Sequence, residues 1–232
     1  GGNKVCAKIP CSSSYQNWMF TFVPLDMEGL KLATNPHAHS TYYFQKKTHF
    51  EQLPNHKKEI VFIGDSITDG CEWSELFGNK KIKNRGISGD VTQGVLDRIE
   101  EVTASKPKKV FLMIGVNDLA RGASTDYVIE RITKIITTIN LQSPKTKVFV
   151  QSILPANDHY GKFGGHTDKN DSIVVINQAL AKGVSGTYQY LDLHTSFLNK
   201  DNKLDTSLSN DGLHLNGKGY ALWANLIEKW VK

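Results

Sequence analysis

Ile60-Val61-Phe62-Ile63-Gly64-Asp65-Ser66-Ile67-Thr68-Asp69-Gly70 is the stretch on which the fold turns. Four β-branched or aromatic residues give way to Gly-Asp-Ser, the pattern of a short buried strand that stops at a turn. Open α/β sheets bind their ligands in the crevice outside the carboxyl ends of their strands. Ser66 therefore stands with its hydroxyl at the edge where a substrate would be met.

Outward from this stretch, strand-like and helix-like patterns alternate. Ile82–Asn84, Val110–Ile114, Val148–Ile153 and Tyr188–Leu193 join Ile60–Ile63 as candidate buried strands, each bounded by turn residues. Between Ser124 and Leu141, Val128, Ile132, Ile135, Ile136 and Ile139 recur at three and four residues and form one apolar stripe. Ser124 or Thr125 caps its start and Pro144 follows its end. Gly217 to Val231 repeats the pattern with Tyr220, Trp223, Leu226, Ile227 and Trp230. Residues 41–55, with Tyr43, Phe44, Phe50 and Leu53, read as a leading helix that ends near Pro54. Such alternation predicts an α/β fold, a parallel sheet with helices on both faces. Five strands in a flavodoxin-like order fit the length. Residues 1–40 differ: they carry Pro10, Pro24, Pro36 and Ser12-Ser13-Ser14 without periodicity. They are expected to form an irregular extension packed on a single domain of residues 41–232, with a strand around Trp18 to Val23.

The bulk numbers exclude several classes. Of 232 residues, 39% are hydrophobic and 22% charged, which suits a globular chain with a real core rather than a disordered one. No apolar run approaches the roughly 18 residues of a membrane span. The net charge of +5 is spread over separate pairs, Lys46-Lys47, Lys57-Lys58, Lys80-Lys81 and Lys108-Lys109, so no nucleic-acid stripe is indicated. That charge is compatible with anionic substrates. Cys6, Cys11 and Cys71 form no Cys-x-x-Cys pair, which argues against a zinc or redox motif. Cys6 and Cys11 either pair or stay free. His37-x-His39 has the spacing of a metal pair but no nearby acid in sequence, and reads as two surface histidines. No metal or cofactor is expected.

Ser66 has two readings. It is a nucleophile if a base removes its proton; otherwise Asp65 and Ser66 only cap the next helix. Thr68 stands where the second glycine of a G-x-S-x-G elbow belongs, which excludes that motif. Far downstream, Asp211-Gly212-Leu213-His214 offers an imidazole base and, three residues before it, a carboxylate able to orient the ring. The plainer reading is a turn leading into the last helix, since Asn210, Gly212, Asn216 and Gly217 are turn formers. Gly115-Val116-Asn117-Asp118 puts an amide, and Asn84–Asp90 puts glycines, at two further strand ends. These groups suit an oxyanion hole, though each segment alone also reads as an ordinary turn. His159, His166 and His194 read as loop or supporting residues, and Gly161–His166 as a mobile loop bordering the site.

Taken in order, Gly64-Asp65-Ser66, Ile87-Ser88-Gly89-Asp90, Gly115-Val116-Asn117-Asp118 and Asp211-x-x-His214 resemble the four blocks of the SGNH, or GDSL, hydrolase superfamily over residues 59–232. The resemblance implies a three-layer α/β/α sandwich with a five-stranded parallel sheet. It implies Ser66 as nucleophile, His214 as base and Asp211 as its orienter. The oxyanion hole would be the backbone N–H groups of Ser66 and Gly89 with the Asn117 side chain. Tyr42–Pro54, Gly70-Cys71-Glu72-Trp73 and Asn84–Asp90 look like the platelet-activating-factor-acetylhydrolase-like branch, and the wording is similar to bacterial sialate O-acetylesterases. The expectation is thus a metal-independent carboxylic ester hydrolase, an acetylesterase on a small-molecule ester such as an O-acetylated sugar, sialic acid included. Longer acyl esters (lysophospholipid, thioester or aryl ester) and a catalytically retired carbohydrate-binding module are the rivals. The resemblance and a Gly-Gly start without methionine suggest export, to a bacterial periplasm or beyond, with a signal peptide removed.

Overall fold

The apolar runs become five strands: β1 (Ile60–Gly64), β2 (Ile82–Gly86), β3 (Lys109–Met113), β4 (Lys147–Gln151) and β5 (Gln189–Leu191). The computed structural model describes residues 39–183 and 186–232. The strands form one sheet in the order β2-β1-β3-β4-β5, every pairing parallel. This is the expected flavodoxin-like order. β1 and β3, at the centre, are buried along their whole length. That is why they read as unbroken apolar runs rather than alternating ones.

Helices connect and cover the strands. In chain order they are α1 (Thr41–Gln52), α2 (Ser66–Asp69), α3 (Trp73–Leu76), α4 (Thr92–Leu96), α5 (Ile99–Ala104), α6 (Val116–Ala120), α7 (Thr125–Gln142), α8 (Gly164–Thr167), α9 (Asn170–Ala181), α10 (His194–Phe197) and α11 (Gly217–Val231). The apolar stripe of α7 is buried as its periodicity predicts, and α4, α5 and α9 pack beside it. The Ser124 side chain accepts the Tyr127 N–H at the start of α7. On the other face, Phe62, Phe111 and Phe149 stand in register on β1, β3 and β4 and stack at 4.8 and 4.7 Å between ring centroids. Trp73 of α3 stacks on Phe62 at 4.3 Å and meets Trp223 of α11 edge-on at 4.7 Å. Helices on both faces of a parallel sheet make the three-layer sandwich.

Strand limits shift from the expected ones for reasons of pairing. β2 runs on through Arg85 and Gly86 because Ile63 and Gly64 of β1 are its partners there. β4 stops at Gln151 because the Ile153 N–H is taken by the Asn177 side chain. β5 is only three residues long; the Leu193 N–H is given to Ser152 Oγ instead of a strand. The leading helix α1 ends at Gln52, two residues before Pro54. Most of the expected extension of residues 1–40, including its strand at Trp18–Val23 and the Cys6 and Cys11 thiols, lies outside the described residues.

Candidate active site

β1 ends at Gly64, and the chain turns through Asp65 into α2. The Asp65 carboxylate accepts the Ile67 N–H at 3.0 Å, so Asp65 caps the helix while Ser66 is its first residue. The capping reading therefore holds for Asp65 and not for Ser66. Burial pushes the Asp65 carboxyl up to about 7. Ser66 is half-buried and keeps its hydroxyl at the sheet edge.

His214 reaches the same edge from the turn before α11. Ser209 Oγ donates to the His214 carbonyl at 2.6 Å and accepts the N–H groups of Asp211 and Gly212. Gly212 has φ +87°, and a Cβ there would lie 2.0 Å from the Asn157 carbonyl oxygen. Only glycine closes this turn against the segment that follows β4. Asp211 Oδ1 accepts the N–H groups of Leu213 and His214, and Oδ2 lies 2.7 Å from His214 Nδ1. A carboxylate only accepts, so Nδ1 carries the proton and Nε2 is free to accept. Nε2 lies 2.9 Å from Ser66 Oγ, across 148 positions of sequence. Partial burial works to raise the Asp211 pKa, but the two backbone donors and the imidazole outweigh it and hold the carboxyl below its ordinary value.

Gly89 and Asn117 come from the next two strand ends. The Ile87 N–H bonds the Gly64 carbonyl at 3.0 Å, which sets the Ile87–Asp90 turn against the end of β1. Gly89, at φ +77°, is exposed, and Arg121 donates to its carbonyl at 2.7 Å. Asn117, in the first turn of α6, is buried; its Nδ2 donates to the Asp90 carbonyl at 2.9 Å. Beneath these turns Arg98 donates to Asp90 Oδ2 through Nε and Nη2, and to the Gly64 carbonyl at 3.2 Å. The turns after β1, β2 and β3 are thus joined by direct hydrogen bonds.

Asp69, Arg98 and Arg121 are participants that the sequence analysis did not single out. Asp69, on the same short helix as Ser66, accepts the Ser88 N–H and Oγ–H and the Tyr42 hydroxyl, and pairs with Lys46 at 3.0 Å. It ties α1 and the residue before Gly89 to α2. The Gly161–His166 segment does border the site. The Phe163 ring meets His214 edge-on at 5.1 Å and His166 at 5.8 Å, and His166 Nε2 lies 3.0 Å from Asn117 Oδ1. Part of the segment is helical, as α8. His39 is not the bare surface histidine expected: it stacks on Tyr43 at 3.8 Å and bonds Asp97, an acid distant in sequence. His37 lies outside the described residues. His159 sits in a short 3₁₀ turn, and His194 is a partly buried residue at the start of α10. Cys71 is buried, which raises its thiol to about 12 and leaves it unreactive. Among the described residues, no group of three or more His, Cys, Asp or Glu is placed to hold a metal ion.

The profile of the GDSL-like lipase/acylhydrolase family matches residues 62–222. Platelet-activating factor acetylhydrolase IB subunit alpha1 of Pongo abelii is 33% identical over 169 residues, 70% of this chain and 71% of that protein. A solved structure from Streptococcus pneumonia, named provisionally as a platelet activating factor, superposes with a TM-score of 0.75 at 25% identity, covering 90% of this chain and 100% of that one. A GDSL-like lipase from Bacteroides thetaiotaomicron gives 0.67 at 25% identity, over 82% and 96%. With the match running from the Phe62 strand to the last helix, the chain belongs to the GDSL-like lipase/acylhydrolase family.

Proposed function

We propose that this protein is a serine-dependent carboxylic ester hydrolase that removes acetyl groups. The observation that carries the reading is the unbroken chain Ser66 Oγ to His214 Nε2 to Asp211, at 2.9 and 2.7 Å. In the first step Ser66 Oγ attacks the ester carbonyl as His214 Nε2 takes its proton. The Asp211 carboxylate holds the ring in its tautomer and stabilises the imidazolium. Negative charge on the tetrahedral oxygen is met by the N–H groups of Ser66 and Gly89 and by Asn117 Nδ2. Collapse of the intermediate expels the alcohol, which receives the proton from His214. Water then attacks the acyl-serine by the same route and releases the acid.

An acetyl ester is favoured because the curated relatives are themselves named acetylhydrolases. Arg121, exposed and bonded to Gly89, puts a cation at the rim, which supports an anionic acetylated sugar such as sialic acid as substrate. The exposed Phe163 ring beside His214 favours the competing reading, a longer acyl chain. Ser66→Ala is expected to lower acetyl-ester turnover by more than ~10³-fold and to abolish labelling by a fluorophosphonate. Unchanged turnover would overturn the mechanism, and a native chain that takes no label at Ser66 would favour a binding module. A series of p-nitrophenyl esters decides chain length; a preference for long acyl groups rejects the acetylesterase. Acetate release from a panel of O-acetylated sugars, sialic acid among them, then identifies the class of alcohol.

A further inference from the structure

A primary amide has two N–H donors and one oxygen with two lone pairs. In Asn117 one N–H is given to the Asp90 carbonyl, and Oδ1 faces His166 Nε2 at 3.0 Å. The Asp90 carbonyl can only accept, so it fixes which end of the amide is nitrogen. An amide oxygen likewise only accepts, so the proton between the two side chains sits on His166 Nε2. Both ends of the amide are then held. The second Nδ2 proton has no hydrogen-bond partner among the described residues and is the one available to a substrate oxygen.

We infer that His166 is a positioning residue: its Nε2–H locks and polarises the Asn117 amide so that the remaining N–H faces the oxyanion. This rests on the reading of Asn117 as an oxyanion donor. The hydrogen bond draws charge toward Oδ1 and strengthens the opposite N–H as a donor. His166 is itself placed by α8. The segment before it turns through Phe163 at φ +55°, and the Phe163 ring touches both His166 and His214. One short segment thus bears on the base and on the oxyanion donor together. Burial, then the neighbouring His214 and Arg121, keep the His166 imidazole below its ordinary pKa, so it is neutral at neutral pH. The neutral ring has one N–H proton to place, and facing Asn117 Oδ1 keeps it on Nε2, where it is donated to that oxygen.

The experiment compares H166A, H166Q, N117A and the double variant H166A/N117A on p-nitrophenyl acetate, with thermal unfolding of each. H166A is expected to lower kcat about 10-fold with KM changed less than about 2-fold, a smaller loss than the roughly 10²–10³ expected for N117A. H166Q, whose amide N–H reaches the same oxygen, is expected to recover most of the kcat. In the N117A background, H166A is expected to add nothing, because the two residues act as one unit. A native kcat for H166A, an equal loss in both backgrounds, or a failure of H166Q to recover in a folded protein would overturn the inference. A native kcat for N117A alone would instead overturn the oxyanion reading of Asn117.

Discussion

Asp65 occupies a dry setting between the strand end and Ser66, and its titration is readable in stability. Its folded pKa, about 7, lies above the ordinary 3.8, because burial penalises the charged form. The protonated carboxyl therefore belongs to the fold. Its contribution is whole below about pH 4 and is lost as the pH rises through about 7. Asp65→Asn keeps an oxygen to accept the Ile67 N–H and removes the titration. Relative to this variant, the native chain is expected to lose up to ~4 kcal/mol between pH 4 and pH 8, from a shift of about three units. Urea unfolding of both proteins across that range measures the difference, and a constant gap would show that Asp65 does not titrate there. Two residues shortly after it, Ser66 and Asp69, differ in how much of their role is local. Ser66 and Asp69 were both visible in the opening stretch, but only Ser66 had a readable chemical role. Asp69 acts through Tyr42, Lys46 and Ser88, and those partners come from a helix and a turn whose approach no local spacing encodes.

At the scale of elements, periodicity carried the long helices and pairing corrected the strands. α11 begins and ends where its stripe does, and α7 is displaced by one residue, because an amphipathic face is a local property. β2, β4 and β5 end elsewhere than their apolar content suggests, because the partner strand or a side chain claims the last N–H groups. Asn117 was legible as a residue at a strand end. His166 was legible as a supporting residue of a loop bordering the site, but its pairing with Asn117 was not, since the two lie 49 positions apart on unrelated elements. The Phe62, Phe111 and Phe149 stack is the element-scale feature most exposed to test. Phe111 is fully buried between the other two rings. Phe111→Ala is expected to cost ~3–5 kcal/mol, the sum of lost burial and the cavity left behind. Thermal or urea unfolding measures it, and a loss below 1 kcal/mol would mean the sheet collapses freely around the gap.

Across the whole molecule, Arg98 connects the three turns that carry the site. Its guanidinium bonds the Gly64 carbonyl and the Asp90 carboxylate, while the Asp90 backbone carbonyl holds Asn117. Both charged side chains are almost wholly buried. Removing only the cation leaves an uncompensated carboxylate, so Arg98→Ala is expected to cost about 3–5 kcal/mol. Combining it with Asp90→Ala is expected to cost less than the sum of the two single changes. Additive losses in urea unfolding would show that the pair does not act as a unit.

The distance of 148 positions between the two hydrogen-bonded side chains at the centre of the site has a consequence for biosynthesis. A ribosome delivers the serine long before the imidazole, and domains fold as units once enough chain has emerged. On the proposed mechanism, a product that stops short of the Asp211–His214 turn lacks its base, however well its early strands have formed. Hydrolytic competence on that mechanism arrives only when His214 has emerged and docked against Ser66, so a stop codon anywhere before position 214 removes it as completely as one before position 66.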